Sequence, residues 1–260
     1  MSIRSTLTSV LATLFLASSV TVHAGQIAVF GDNGLLSYIN ASTSHTGVLV
    51  SDTQLATAGF LNTYDAFVYT RNGASGSPSP TMSGAAAANV SSFVSGNIVL
   101  FNGDFSDSVG GVFSSDPDAE TLFSNALDFV LQSGGGYIGE LFGFAAAFQS
   151  NDRGVPALGL VAGDLTGNYV VDNGSYTLTT AGLSHPVTAG VPGAKDYDNW
   201  DLMFNVSGYD ASAVLMETPN GRPAILAYGG ATAMPTPGTI VLLGLGLLGL
   251  YRHQRTSRVV

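Results

Sequence analysis

Three stretches in succession decide the fold: NIVLFN at 97–102, DAETLFSNALDFVL at 118–131 and GGGYIGE at 134–140. The first is short, apolar and partly β-branched, and reads as a buried strand. The second places Leu122, Phe123, Ala126, Leu127 and Val130 at the 3.6-residue period of an amphipathic helix. Ser115 and Asp116 precede it as capping candidates, and the glycines at 134–136 stop it. The third opens another strand over 137–139 and leads into an apolar stretch over 141–148. Strand, helix and strand in that order make a βαβ unit, the building block of a parallel sheet covered on both faces.

The same alternation extends towards the N-terminus. QIAVFGD (26–32), TGVLVS (46–51) and YDAFVYT (64–70) read as strands, and helices are expected over 33–40, near 53–61 and over 82–94. Towards the C-terminus the pattern changes. YVVDNGSYTLTT (169–180) carries Asp172-Asn173-Gly174 between alternating runs, a hairpin signal, and strands over 214–217 and 224–228 flank Asn220-Gly221 as a second one. The expectation is therefore a doubly wound, flavodoxin-like α/β sheet, mostly parallel, with an antiparallel C-terminal extension.

The two ends read differently from this body. Residues 1–24 combine Arg4, a largely apolar run over 7–20 and Val22-His23-Ala24, an arrangement that reads as a secretory signal cut between Ala24 and Gly25. At the other end an uncharged run over 239–250 is followed by Arg252, His253, Arg255 and Arg258. As a helix this run rises roughly 18 Å against a hydrocarbon core of roughly 30 Å, so spanning requires recruiting residues through Pro235 or a thin bilayer. The basic cluster would stay on the cytoplasmic side.

Between the ends, 25–233 has the length of a single domain. It holds all 18 acidic residues but only Arg71, Arg153, Lys195 and Arg222 as bases, so it is more acidic than the whole chain at −10. Such a surface repels polyanions, and nucleic acid is excluded as a partner. The chain has no cysteine, which excludes disulfides, thiol nucleophiles and thiolate metal sites.

Two resemblances follow from these residues. Met234-Pro235-Thr236-Pro237-Gly238-Thr239 with IVLLGLGLLGLYRHQR resembles a PEP-CTERM sorting signal, in which Pro-Glu-Pro precedes a short membrane segment and an Arg-rich end. Thr236 stands where that family has Glu. The resemblance implies an exosortase-type processing enzyme as partner, transient residence in the inner membrane, and delivery to the cell envelope or extracellular matrix. The body, through YDAFVYTR, GGGYIGE, HPVTAGV (185–191) and GRPAILAYGG, is similar to the class I glutamine amidotransferase-like fold of the trehalose-utilisation type. In that family a Gly-x-Cys-x-Gly elbow exposes the nucleophile. Here Gly139-Glu140-Leu141-Phe142-Gly143 occupies the pattern with Leu141 in the cysteine's place, which implies that amidotransferase chemistry is absent.

The remaining candidates are polar residues after strands, because open α/β sheets bind ligands beyond the carboxyl ends of their strands. Asp32, Arg71, Asp104 and Glu140 each follow a proposed strand, and His185 stands before Pro186. A carboxylate cluster there suits Ca²⁺, acid–base chemistry, or simple helix capping. The oxygen-rich runs 104–108 and 116–120 lack the EF-hand order and read as a solvated loop and a helix start. Tyr197, Trp200, Phe204 and Tyr209 suit core packing or a sugar-stacking surface for extracellular polysaccharide, with Trp200 partly exposed among acidic neighbours.

Overall fold

The computed structural model describes residues 24–31, 34–71, 80, 82–111, 114–141, 170–197, 199–206 and 209–229. They belong to one compact unit spanning 23–230. The parallel strands are β1 (Gln26–Phe30), β2 (Thr46–Leu49), β3 (Ala66–Tyr69), β4 (Ile98–Asn102) and β5 (Gly136–Leu141). Between them run α1 (Gly34–Ser42), α2 (Asp52–Leu55), α3 (Gly84–Phe93) and α4 (Pro117–Val130).

Alternation along each strand sorts the helices onto two faces. Ile27, Val29, Val68, Val99, Phe101 and Ile138 pack with α1 and α4. Their neighbours Ala28, Phe30, Phe67, Tyr69, Leu100 and Tyr137 pack with α2 and α3. A strand buried on both sides must be apolar throughout, which is why these strands read as continuous runs. α4 starts where Pro117 follows the Asp116 cap, whose carboxylate accepts from the Asp118 and Ala119 amides. The helix expected near 53–61 is instead α2 followed by a separate 3₁₀ turn, Phe60–Thr63, because Gly59 adopts a left-handed φ of 76° between them.

The antiparallel half is built from β7 (Tyr176–Leu178), β8 (Ala194–Lys195), β10 (Val214–Glu217) and β11 (Pro223–Tyr228). Together the strands form one nine-stranded sheet, ordered β2-β1-β3-β5-β4-β11-β10-β7-β8. β10 and β11 are the hairpin expected around Asn220-Gly221, with Gly221 at φ 73°. The chain is thus a mixed α/β fold with a large central sheet.

Two expectations are corrected. A flavodoxin-like sheet runs 2-1-3-4-5; here β5 is inserted between β3 and β4, because Glu140 at its end bonds to residues following both neighbours. The Asp172-Asn173-Gly174 hairpin does not form. β6 (Val170–Val171) pairs with β9 (Leu202–Met203), while β7 pairs with β8 and β10. The Asp172 carboxylate is instead fully buried and accepts bonds from Thr218, Asn220 and Arg222, which pulls the turn residue inward.

The β2 edge is blunted by α1. Asn40 donates to the Gly47 carbonyl at 3.1 Å and accepts the Gly47 amide at 2.9 Å, occupying an outward-facing pair that another strand would need.

Asn102, 1 % exposed, joins the two halves of the sheet. Its amide donates to the Phe204 and Pro223 carbonyls at 2.9 and 2.8 Å and accepts from the Phe204 N–H at 3.1 Å. Asn102→Leu should lower stability by roughly 3 kcal/mol or more, since three buried backbone groups lose their partners. A urea unfolding midpoint unchanged from wild type would refute this joint.

Candidate functional site

The site at the carboxyl edge is assembled by aromatic packing. Phe105 stacks on Phe101 with ring centroids 3.8 Å apart and meets the Trp200 ring edge-on at 4.8 Å. Trp200 is 1 % exposed, donates its indole N–H to the Asn102 carbonyl at 2.6 Å, and accepts the Tyr176 hydroxyl on its own carbonyl. These contacts draw the 3₁₀ turn Phe105–Ser108 over the end of β4. Gly103 allows the close approach: its φ is 76°, and a Cβ there would stand 1.9 Å from the Leu202 carbonyl oxygen.

Arg71, following β3, lies at the centre of the site and is completely buried. Its Nε donates to Ser106 Oγ at 2.9 Å and lies 3.5 Å from Glu140 Oε1, and its Nη2 donates to Asp107 Oδ1. Glu140 Oε2 accepts from the Thr70 hydroxyl at 2.5 Å and from the Arg71 amide at 3.3 Å. Its Oε1 accepts from the Ser106 amide at 2.9 Å. Asp104 Oδ1 accepts from the Asp201 and Leu202 amides, both at 3.1 Å. One guanidinium therefore serves a buried group of three carboxyls, with Asp201 beside it.

That imbalance appears in the acidities. Burial pushes Asp104 up to about 8, with the Asp107 and Asp201 charges adding to it against the pull of the Leu202 amide and Arg71. Burial likewise pushes Asp107 up to about 6, with Arg71 opposing and Glu140 and Asp201 reinforcing. At neutral pH Asp104 is a protonated acid.

Of the residues anticipated from sequence, Arg71, Asp104 and Glu140 come together. Leu141 ends β5 beside them, its backbone paired with Asn102, and the expected elbow beyond it lies outside the described residues. Asp32 also lies outside them, although Gly31 packs so closely on the end of β3 that a Cβ would stand 2.2 Å from the Thr70 carbonyl oxygen. His185 is elsewhere. Its ring meets Phe129 edge-on at 4.8 Å and its Nδ1 accepts the Val187 amide as a cap, and burial lowers its basicity. Phe129 belongs to the last turn of α4 and its carbonyl bonds to Asn97 ahead of β4, so His185 occupies the opposite edge of the sheet.

Two further expectations change. The run 104–108 is not a solvated loop; Asp104, Phe105, Ser106, Asp107 and Ser108 are all buried, because Phe105 carries them into the core. Trp200 is not partly exposed, and Tyr197 and Phe204 are buried with it, which leaves only Tyr209 of that aromatic set half-buried. Among the described residues no group of three or more His, Asp or Glu is arranged to hold a metal ion. Both Glu140 oxygens, Asp104 Oδ1 and Asp107 Oδ1 are engaged by Thr70, Arg71 or backbone amides.

Thr70 and Asp201 are not singled out by the sequence, and Ser106 and Asp107 enter it only as part of a loop read as solvated. A signal was present: Arg71 is the only basic residue between 25 and 152, and it follows an apolar strand, so it required buried acidic partners. No family model, curated protein or solved structure matches the chain. Its reading therefore rests on the site itself.

Two outcomes are expected. Asp104 titrates near 3.8 when unfolded and about 8 when folded, so the folded state holds its proton more tightly. Its contribution is level below the lower value, becomes less favourable as pH rises between the two, and is level above the higher. Folding at pH 7 should take up about one proton, measurable by denaturation at several pH values, and Asp104→Asn should remove that uptake. Arg71→Met should destabilise by roughly 3–5 kcal/mol at pH 7, with less loss at pH 5, below the value of about 6 at which Asp107 protonates. Equal losses at both pH values would contradict the charge argument.

Proposed function

We propose that this chain is an exported, non-catalytic protein of the cell envelope or extracellular matrix. In this reading the segment 1–24 is the export signal, and 234–260 anchors the protein transiently in the inner membrane. An exosortase-type enzyme recognises Pro235, Thr236 and Pro237, with Arg252 and Arg255 retained on the cytoplasmic side. The body is a degenerate form of the class I glutamine amidotransferase-like scaffold. Residues 1–23 and 230–260 lie outside the described residues, and no described helix is long and apolar enough to cross a membrane.

One observation carries the non-catalytic reading. Glu140, next to the position where an amidotransferase-like chain has its nucleophile, has both oxygens engaged by donors from each neighbouring strand end. Leu141 has no atom able to attack a carbonyl, and the chain contains no cysteine to replace it. A residue committed to holding strands together is poorly available for proton transfer to a substrate. The acidic body suits a solvated matrix component, with extracellular polysaccharide as the partner class.

A second reading has its own support: burial pushes Asp104 up to about 8 beside Asp107, so it keeps a proton at neutral pH as the general acid of a carbohydrate-active hydrolase using strand-end carboxyls must. The two separate in one experiment. The full chain is produced in a Gram-negative host with an exosortase system, recovered from envelope and medium, and assayed on amide, ester and glycoside panels. The proposal expects a C-terminally shortened product in those fractions and no turnover above an Asp104→Asn control. Turnover abolished by Asp104→Asn would establish the hydrolase instead, and an unprocessed cytoplasmic chain would overturn the sorting.

A further inference from the structure

We propose that the leader is cut between Ala24 and Gly25 before the domain folds, and that His45 then receives the new Gly25 ammonium group. The inference rests on the exported reading and adds to it a receptor for the processed terminus.

The geometry around Gly25 carries it. Ala24 is exposed, but Gly25 is buried at the start of β1. The Gly25 N–H donates to His45 Nδ1 at 3.2 Å, and its carbonyl accepts the Thr46 amide at 3.0 Å. A Cβ at this position would come within 2.6 Å of Leu131 Cδ2, so the seat is shaped for glycine. His45 is itself buried at 6 % exposure, and its Nε2 lies 3.2 Å from Asp128 Oδ1. Since Nδ1 accepts, the ring proton belongs on Nε2 and is donated to Asp128. The next residue is held by another carboxylate: the Gln26 amide donates to Asp65 Oδ2 at 2.8 Å.

This arrangement suits a cation better than a neutral amide. One acidic side chain, Asp128, backs the buried acceptor, and a second, Asp65, holds the amide of the next residue, at the chain position where cleavage creates a positive charge. In the cut, a leader peptidase adds water across the Ala24–Gly25 bond. The oxygen stays with the Ala24 carbonyl carbon as a carboxylate, and the protons pass to the Gly25 nitrogen as an ammonium. The bond acted upon must be extended and reachable. In the folded domain its nitrogen is buried against His45, so the cut precedes docking.

The test uses the full chain secreted from a Gram-negative host, with the N-terminus read by intact mass. The mature protein should begin at Gly25. Exposed to an aminopeptidase, wild type should keep Gly25, whereas His45→Ala should lose it about tenfold faster, the effect of one charge-assisted hydrogen bond. Asp128→Ala, a change at a largely exposed position, should shift trimming in the same direction. His45→Gln, which retains an acceptor, should restore protection. Internal cleavage by an endoprotease monitors general loosening and should not follow this order. The uncut chain, once folded, should resist a purified leader peptidase that cuts it in urea.

A mature terminus other than Gly25 would overturn the leader reading and the receptor with it. A Gly25 terminus trimmed at the same rate in wild type, His45→Ala and Asp128→Ala would overturn the receptor alone. Ready cleavage of the folded uncut chain would overturn the order of events.

Discussion

Glu140 lies between the ends of β3 and β4 and is held from both sides, by Thr70 and the Arg71 amide on one and by the Ser106 amide on the other. That arrangement is possible only with β5 as the middle strand of the three. Hydrophobic burial cannot choose this order by itself, because β3, β4 and β5 are each apolar on both faces and would pack in another sequence. A buried ionic group is weak evidence for stability, since desolvation offsets most of the attraction. Its value here is selective: any order that parted Glu140 from Arg71 would leave charges buried without partners, at a cost of several kcal/mol.

The ionic group and the aromatic cluster depend on each other. Phe101, Phe105 and Trp200 bring the 3₁₀ turn down onto the sheet end, which delivers Ser106 and Asp107 to Arg71. Trp200 in turn is fixed by the Asn102 carbonyl, and Asn102 spans from β4 to the strand beyond it. The parallel and antiparallel halves, already joined by the β4–β11 ladder, are coupled further by the Asn102 side chain at the end of β4. Packing this many oxygen atoms around one guanidinium leaves charge unbalanced, and a proton on Asp104 restores part of the balance.

Much of the fold was legible because its signals are local. The helix over 117–130 announced itself by period and by the Asp116-Pro117 start, and the buried strands by apolar runs. The hairpin at Asn220-Gly221 formed as its turn residues suggest. What failed was non-local. Asp172-Asn173-Gly174 has the same turn chemistry, but a long-range contact to Arg222 and Thr218 outweighed it. The strand order depends on where one glutamate finds donors, information that no window of residues contains. The site was half legible for the same reason: Arg71, Asp104 and Glu140 stand out as strand-end residues, whereas Asp107 and Ser106 sit in a segment whose polarity disguises the single phenylalanine that buries it.

The placement of the histidines bears on what the carboxyl edge can do. His45 bonds to Asp128 and His185 packs on Phe129, adjacent residues in the last turns of α4. Both described histidines are thus at the amino edge of the sheet, with the length of the strands between them and Arg71. The ionic group has no imidazole among its described neighbours, and its described proton-bearing partners are the Thr70 and Ser106 hydroxyls and the carboxyls themselves. Such a group gains from being sealed, because water would weaken the interactions that set the strand order. At the other edge, His45 uses its imidazole to hold the chain's own Gly25. Sequence features that in another chain would be read as acid–base machinery are here distributed over opposite ends of one sheet, each fastening a different part of the backbone.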